Sequence, residues 1–174
     1  MRNTVPRPPD ELNPIELSFR NLQRRRRINT PLLHQITHDL ISRLLQIDRA
    51  TIGFQFVSAR RMSQVNWDYL KHEGPTDIIT FGYPTGNPKK EVQGDIYICV
   101  EVAESQSEEF GTTWQQELVR YLVHGVLHLL GFDDHQPADR RAMKRQENRL
   151  LHQLEASWDL ALIQLPPILP HGRT

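Results

Sequence analysis

A single cysteine, Cys99, stands among 174 residues, so the chain can form no internal disulfide and no cysteine-rich zinc site. That scarcity points to a reducing compartment. Net charge is missing as well: 21 Lys and Arg balance 21 Asp and Glu, which removes the bulk electrostatic footprint of an indiscriminate nucleic-acid binder. No apolar run exceeds a few residues, and the opening MRNTVPRPPDELNP holds no hydrophobic segment. We therefore expect neither a signal peptide nor a membrane span, and a cytoplasmic protein. Internal repeats and low-complexity tracts are also absent. What is present, 38% hydrophobic and 24% charged residues, fits one globular domain.

The zero sum conceals a segregation of charge. Residues 1–71 carry 12 cations and 6 anions, residues 72–118 carry 2 and 9, and the remainder carries 7 and 6. The densest feature is the run Arg24, Arg25, Arg26 and Arg27. Such a run is either a solvated turn or a phosphate-binding patch, since guanidinium groups match phosphate oxygens in bidentate fashion.

Periodicity predicts an α+β domain over 15–158, preceded by a disordered leader (1–14) and followed by an irregular proline-rich tail (159–174). Alternation predicts strands over 15–22, 51–57, 77–83 and 95–100. Helical spacing of Leu32, Leu33, Ile36, Leu40, Ile41 and Leu44, after a Thr30-Pro31 start, predicts a helix over 31–46. A short helix is expected over 61–70. Thr113 with Gln116 reads as a capping box opening a helix over 113–130, stopped by Gly131. A last helix is expected from Pro137 to Glu155. The sequence leaves strand order open.

Residues 124–135 read HGVLHLLGFDDH. Two histidines four apart lie one above the other on one helix face, where both imidazoles reach a single metal ion. A glycine three residues on allows the sharp turn that returns a third ligand from the following residues. The pattern resembles the zinc-binding stretch of metzincin proteases, in which three protein ligands leave one coordination position open. One position differs: the glutamate that serves those proteases as general base is replaced by Gly125. A metal site is kept while the peptidase base is lost.

The same segment resembles the signature of the YbeY family of bacterial rRNA-maturation endoribonucleases. Further blocks match it in order and spacing: Asn66 with Tyr69, Thr76-Asp77 through Phe81, Gly94-Asp95 through Ile98, and Glu117-Leu118. The resemblance spans about residues 15–155. It implies a single α+β domain with a small mixed β-sheet and one zinc ion at the end of a central helix. The implied activity is single-strand-specific, metal-dependent cleavage in ribosomal RNA processing, notably at the 3′ end of small-subunit rRNA, with the ribosome as partner. Carried over by position, His124 and His128 are catalytic zinc ligands. The chemistry of the third ligand admits Asp134 or His135; the gap-free match, which also aligns Met143, selects Asp134. Asp133 then supports the turn or orients a ligand.

One family feature has no counterpart. Many members carry an arginine after the Asn/Tyr pair, where this chain has Leu70 followed by Lys71 and His72. Either residue is a candidate phosphate contact in its place, or an ordinary surface group. Arg24 to Arg27 are further candidate RNA contacts. Two rival functions stand beside the ribonuclease: a zinc-dependent hydrolase of another substrate class, and a non-catalytic ribosome-associated RNA-binding factor.

Overall fold

The computed structural model describes residues 14–167. Strand β1 (Ile15–Asn21) leads to helix α1 (Thr30–Asp39), which continues as a π-helical turn over Leu40–Leu44. The cap is Asn29 rather than Thr30, because the Asn29 side chain accepts the Leu32 amide at 3.2 Å. Strand β2 (Arg49–Val57), helix α2 (Ala59–Val65) with a π turn over Asn66–Leu70, and strands β3 (Ile78–Gly82) and β4 (Glu91–Cys99) follow. Helix α3 (Val100–Phe110), which periodicity does not predict, starts directly from β4. Helices α4 (Trp114–Leu129) and α5 (Pro137–Ser157) complete the set. Thr113 and Gln116 form the expected capping box at the head of α4.

The sheet has the order β1-β2-β4-β3, with β1, β2 and β4 parallel and β3 antiparallel on the edge. It is a small mixed sheet in an α+β domain. Alternation sorts its two faces. Ala50, Ile52, Phe54 and Phe56 of β2, with Val92, Ile96 and Ile98 of β4, join α1, α4 and α5 in the main core. Val57, Ile79 and Cys99 pack on the reverse side with Met62 and Val65 of α2. Each fully buried aliphatic or aromatic side chain contributes about 1.5–3 kcal/mol, so the α4 face bearing Leu118, Leu122 and Val126 anchors that helix firmly.

Gly125 sets how closely α4 approaches the sheet. A Cβ at this position would lie 2.8 Å from Ile96 Cγ2 on β4, inside van der Waals contact. The residue that replaces the peptidase glutamate therefore faces the core, and its glycine is required by packing.

The tail differs from the irregular segment predicted over 159–174. Leu160–Ile163 form a 3₁₀ turn with Leu160 and Ile163 buried, and Gln164 bridges to Ile28. The apolar pair at i and i+3 supplies the reason: one short turn places both against the core. Residues 168–174, and all of the predicted leader except Pro14, lie outside the described residues. No helix among the described residues is long and apolar enough to cross a membrane.

Candidate metal centre and its cleft

The C-terminal turn of α4 ends in a Schellman arrangement. Gly131 takes φ +90°, its amide bonds the His128 carbonyl at 2.9 Å, and the Phe132 amide bonds the Leu127 carbonyl at 3.0 Å. Only glycine adopts this backbone without strain, and the turn reverses the chain beneath the histidines. Asp133 then fixes the next step: its Oδ1 accepts the Asp134 amide at 2.7 Å and the His135 amide at 3.2 Å. Those amides, the His135 one foremost, hold the Asp133 carboxyl below the usual carboxylate range.

This local folding brings His124, His128 and Asp134 together, with their ligand-type atoms within 4.8 Å of one another. Asp134 Oδ2 lies 3.6 Å from His124 Nε2 and 3.7 Å from His128 Nε2. His135, its side chain 85% exposed and 3.5 Å from Asp133 Oδ1, joins Asp133 and Asp134 in a second, more exposed group whose ligand-type atoms also lie within 4.8 Å of one another.

Tautomers decide what the histidine pair can do. His124 Nδ1 donates to the buried carboxylate of Glu147, and His128 Nδ1 donates to the Phe132 carbonyl at 3.0 Å. Both Nε2 atoms are then left as acceptors, yet they face each other at 2.8 Å. Two lone pairs at that distance repel unless a proton on one ring, or a metal ion between the rings, takes them up. With Asp134 they form a donor set whose spacings suit an ion about 2.0–2.2 Å from each atom. The residues present thus fit a divalent metal, and three protein ligands leave a position for substrate.

Burial works against a charged His124 ring, but the Glu147 carboxylate, with Asp77 and Asp134 nearby, outweighs it and holds the pKa above the ordinary imidazole value. Burial, followed by the facing His124, pushes His128 down. Protons and metal compete for the same nitrogens. Lowering the pH is therefore expected to weaken metal binding, beginning above about 6.5 through His124, by about tenfold per pH unit for one displaced proton. Chelator competition between about pH 8 and pH 5.5 measures this, and a flat affinity across that range would contradict it.

The donor set opens into a cleft of 730 Å³ whose walls include Asp77, Glu117 and Tyr121. Burial, reinforced by Asp77 and Glu117, pushes the Tyr121 hydroxyl far above its usual range, so it stays a neutral donor to Gln106 Oε1 at 2.6 Å. Motif reasoning misses Glu147. Its signal in the sequence is a carboxylate within the inward stripe Met143, Leu150, Leu151 and Leu154 of α5, where an acid is costly unless paired.

The other predicted contacts lie elsewhere. Arg25 and Arg26 both pair with the largely buried carboxylate of Glu104 on α3, Arg26 also lies 5.4 Å from the Trp114 ring, and Arg27 donates to the Pro166 carbonyl. At least these three arginines tie chain segments together. Lys71 and His72 sit on the exposed loop after α2 and do not line the cleft; Lys71 Nζ lies 5.9 Å from the Trp67 ring.

Fold and site define a class: an α+β protein with a His-His-Asp donor set where a central helix ends, facing an open cleft. The comparisons with known proteins narrow it. The family model described as Endoribonuclease YbeY matches residues 18–155, and the chain belongs to that family. The chain is 42% identical to Endoribonuclease YbeY of Chlorobium luteolum over 103 residues, covering 59% of this chain and 73% of the relative. Its counterpart in Bacteroides fragilis is 41% identical over 100 residues, covering 58% and 70%. The fold is similar to the solution structure of TM1509 from Thermotoga maritima, with a TM-score of 0.57 at 21% identity, over 83% of this chain and 91% of that one.

Proposed function

We propose that this protein is a zinc-dependent endoribonuclease that cuts single-stranded RNA during ribosomal RNA maturation, at the 3′ end of the small-subunit RNA, in the cytoplasm. The observation that carries the reading is the pair of Nε2 acceptors at 2.8 Å, joined by Asp134 and open to a cleft. The family membership of the chain supplies the reaction class.

In this reading His124, His128 and Asp134 hold zinc, which when bound supplies positive charge and Lewis acidity to the scissile phosphate. The chain's own groups do the rest. Glu147 and the Phe132 carbonyl lock both imidazoles in the Nδ1–H tautomer, so that Nε2 stays a donor atom. Asp133 holds the backbone that presents Asp134. Peptide hydrolysis by the metzincin route finds no support, because a side chain at position 125 points at Ile96. The domain is read as 15–158, with the 3₁₀ turn of the tail docked on it. Arg24, Lys71 and His72 are read as RNA contacts on the exposed surface outside the cleft.

Zinc-loaded protein is expected to cut single-stranded oligoribonucleotides internally, to spare the same sequence in a duplex, and to stop when a chelator removes the metal. Peptide turnover without RNA cleavage would overturn the reading. Binding of RNA without any metal-dependent cutting would favour a non-catalytic factor.

A further inference from the structure

The cleft has a wall that the metal-binding residues do not explain. Pro137, Arg141, Lys144 and Asn148 follow one another at helical spacing along a single stripe of α5, and all line the cleft shared with His124 and Asp134. Arg140 borders it too, its guanidinium bonding the Asp134 and His135 carbonyls at 3.2 and 3.4 Å. Among the described residues neither Arg140 nor Arg141 pairs with a carboxylate. Lys144 Nζ comes no closer than 3.9 Å to Glu147, whose other oxygen serves His124.

Such an arrangement opposes helix stability. Arg141 and Lys144 are like charges at i and i+3, close enough on the helix surface to repel. Local conflict of this kind marks a surface shaped for a ligand rather than for the fold. A bound anion relieves that repulsion. Arg140, whose charge is held beside the Asp134 carbonyl, extends the positive wall to the edge of the donor set.

We propose that Arg141 and Lys144 form a phosphate-binding track on α5 that holds the sugar-phosphate backbone of single-stranded RNA beside the scissile bond. The inference rests on the endoribonuclease reading and names how that site grips its substrate. Contacts to phosphates are indifferent to base identity, so the track positions the strand without selecting sequence. Rise along the helix, about 1.5 Å per residue, lets successive side chains of the stripe follow a strand laid along α5.

The test compares zinc-loaded wild type with the double variant R141Q/K144Q, using a fluorescent single-stranded oligoribonucleotide at about 50–200 mM KCl. Both residues are exposed, so the fold should persist, and metal content per chain is measured alongside. The variant is expected to raise KM about tenfold near ~0.1 M salt and to leave kcat and zinc content unchanged. It should also flatten the salt dependence of log kcat/KM by about 1.4, or ~0.7 for each phosphate no longer neutralised. The variant R145Q/R149Q removes the same charge from α5 outside the cleft and should leave the slope unchanged. The variant R141K/K144Q keeps one of the two charges and should lose only about half as much slope as R141Q/K144Q. If wild type cleaves RNA and R141Q/K144Q matches it in slope and KM, the track is overturned and the endoribonuclease reading stands. If both double variants flatten the slope equally, bulk charge rather than a track is responsible, which also overturns it. If zinc-loaded wild type does not cut RNA, both inferences fall together.

Discussion

Replacing His128 with alanine is expected to abolish stable metal binding and to lower RNA cleavage by at least about 10³-fold, equivalent to ~4 kcal/mol of lost transition-state stabilisation. The size follows from the donor set. With His128 gone, His124 and Asp134 remain as two protein ligands, too few to hold a divalent ion at a fixed position beside substrate. The fold should survive. His128 is only part-buried, alanine is the best helix former, and the hydrogen bond lost to the Phe132 carbonyl is worth about 0.5–1.5 kcal/mol. Removing one of two facing lone pairs offsets part of that cost in metal-free protein. Cleavage assays, metal analysis and thermal melts on one preparation separate these effects. A metal-depleted, folded and fully active H128A protein would place the chemistry elsewhere.

Glu147→Gln is expected to weaken metal affinity about 10- to 100-fold while leaving kcat near wild type when zinc is saturating. The carboxylate is 5% exposed and accepts the proton of His124 Nδ1. An amide of the same shape still fills the space but withdraws the negative charge that makes the imidazole a better donor through Nε2. The substitution also removes the charge facing Arg120 Nη1 and Lys144 Nζ, each 3.9 Å from Glu147 Oε2. An unchanged zinc affinity in E147Q would reduce Glu147 to a partner of those cations. Glu147→Ala should be worse in stability too, since it leaves a buried imidazole N–H without an acceptor.

Local signals read well where a few neighbouring residues decide the outcome. The Thr113/Gln116 box, the Gly131 stop and the four-residue histidine spacing each act within one or two helical turns, and each takes the form that the sequence implies. Chemistry alone leaves both Asp134 and His135 open. The local geometry is plain all the same: the Asp133 turn carries the Asp134 carboxylate to within 3.6 and 3.7 Å of the two histidines, while the His135 side chain is exposed.

Tertiary partners are harder to see. Helix α3 offers no side-chain cap at Cys99, and its inward positions are Val100, Ala103, Glu104 and Ser107 rather than an apolar stripe. The fold stabilises it through Glu104, whose partners Arg25 and Arg26 lie nearly eighty residues away. The same long-range pairing is why the sequence offers the arginine run as candidate RNA contacts and gives no sign of its partner Glu104. Gly125 resists reading for a related reason: the missing peptidase base is legible, but its cause, the approach of α4 to Ile96, belongs to packing. Glu147 lies 23 residues from His124, and only the packing of α5 on α4 brings them together.

In the proposed reading, one metal ion held by His124, His128 and Asp134 makes this chain an RNA-cutting enzyme. The most direct measurement titrates metal-free protein with zinc while recording cleavage of single-stranded RNA. Activity should rise linearly and break at one zinc per chain, and it should stay at the metal-free level in Asp134→Ala over the same range while His135→Ala follows wild type. Cleavage that is independent of zinc content, or lost in His135→Ala and kept in Asp134→Ala, would contradict that role for the three residues.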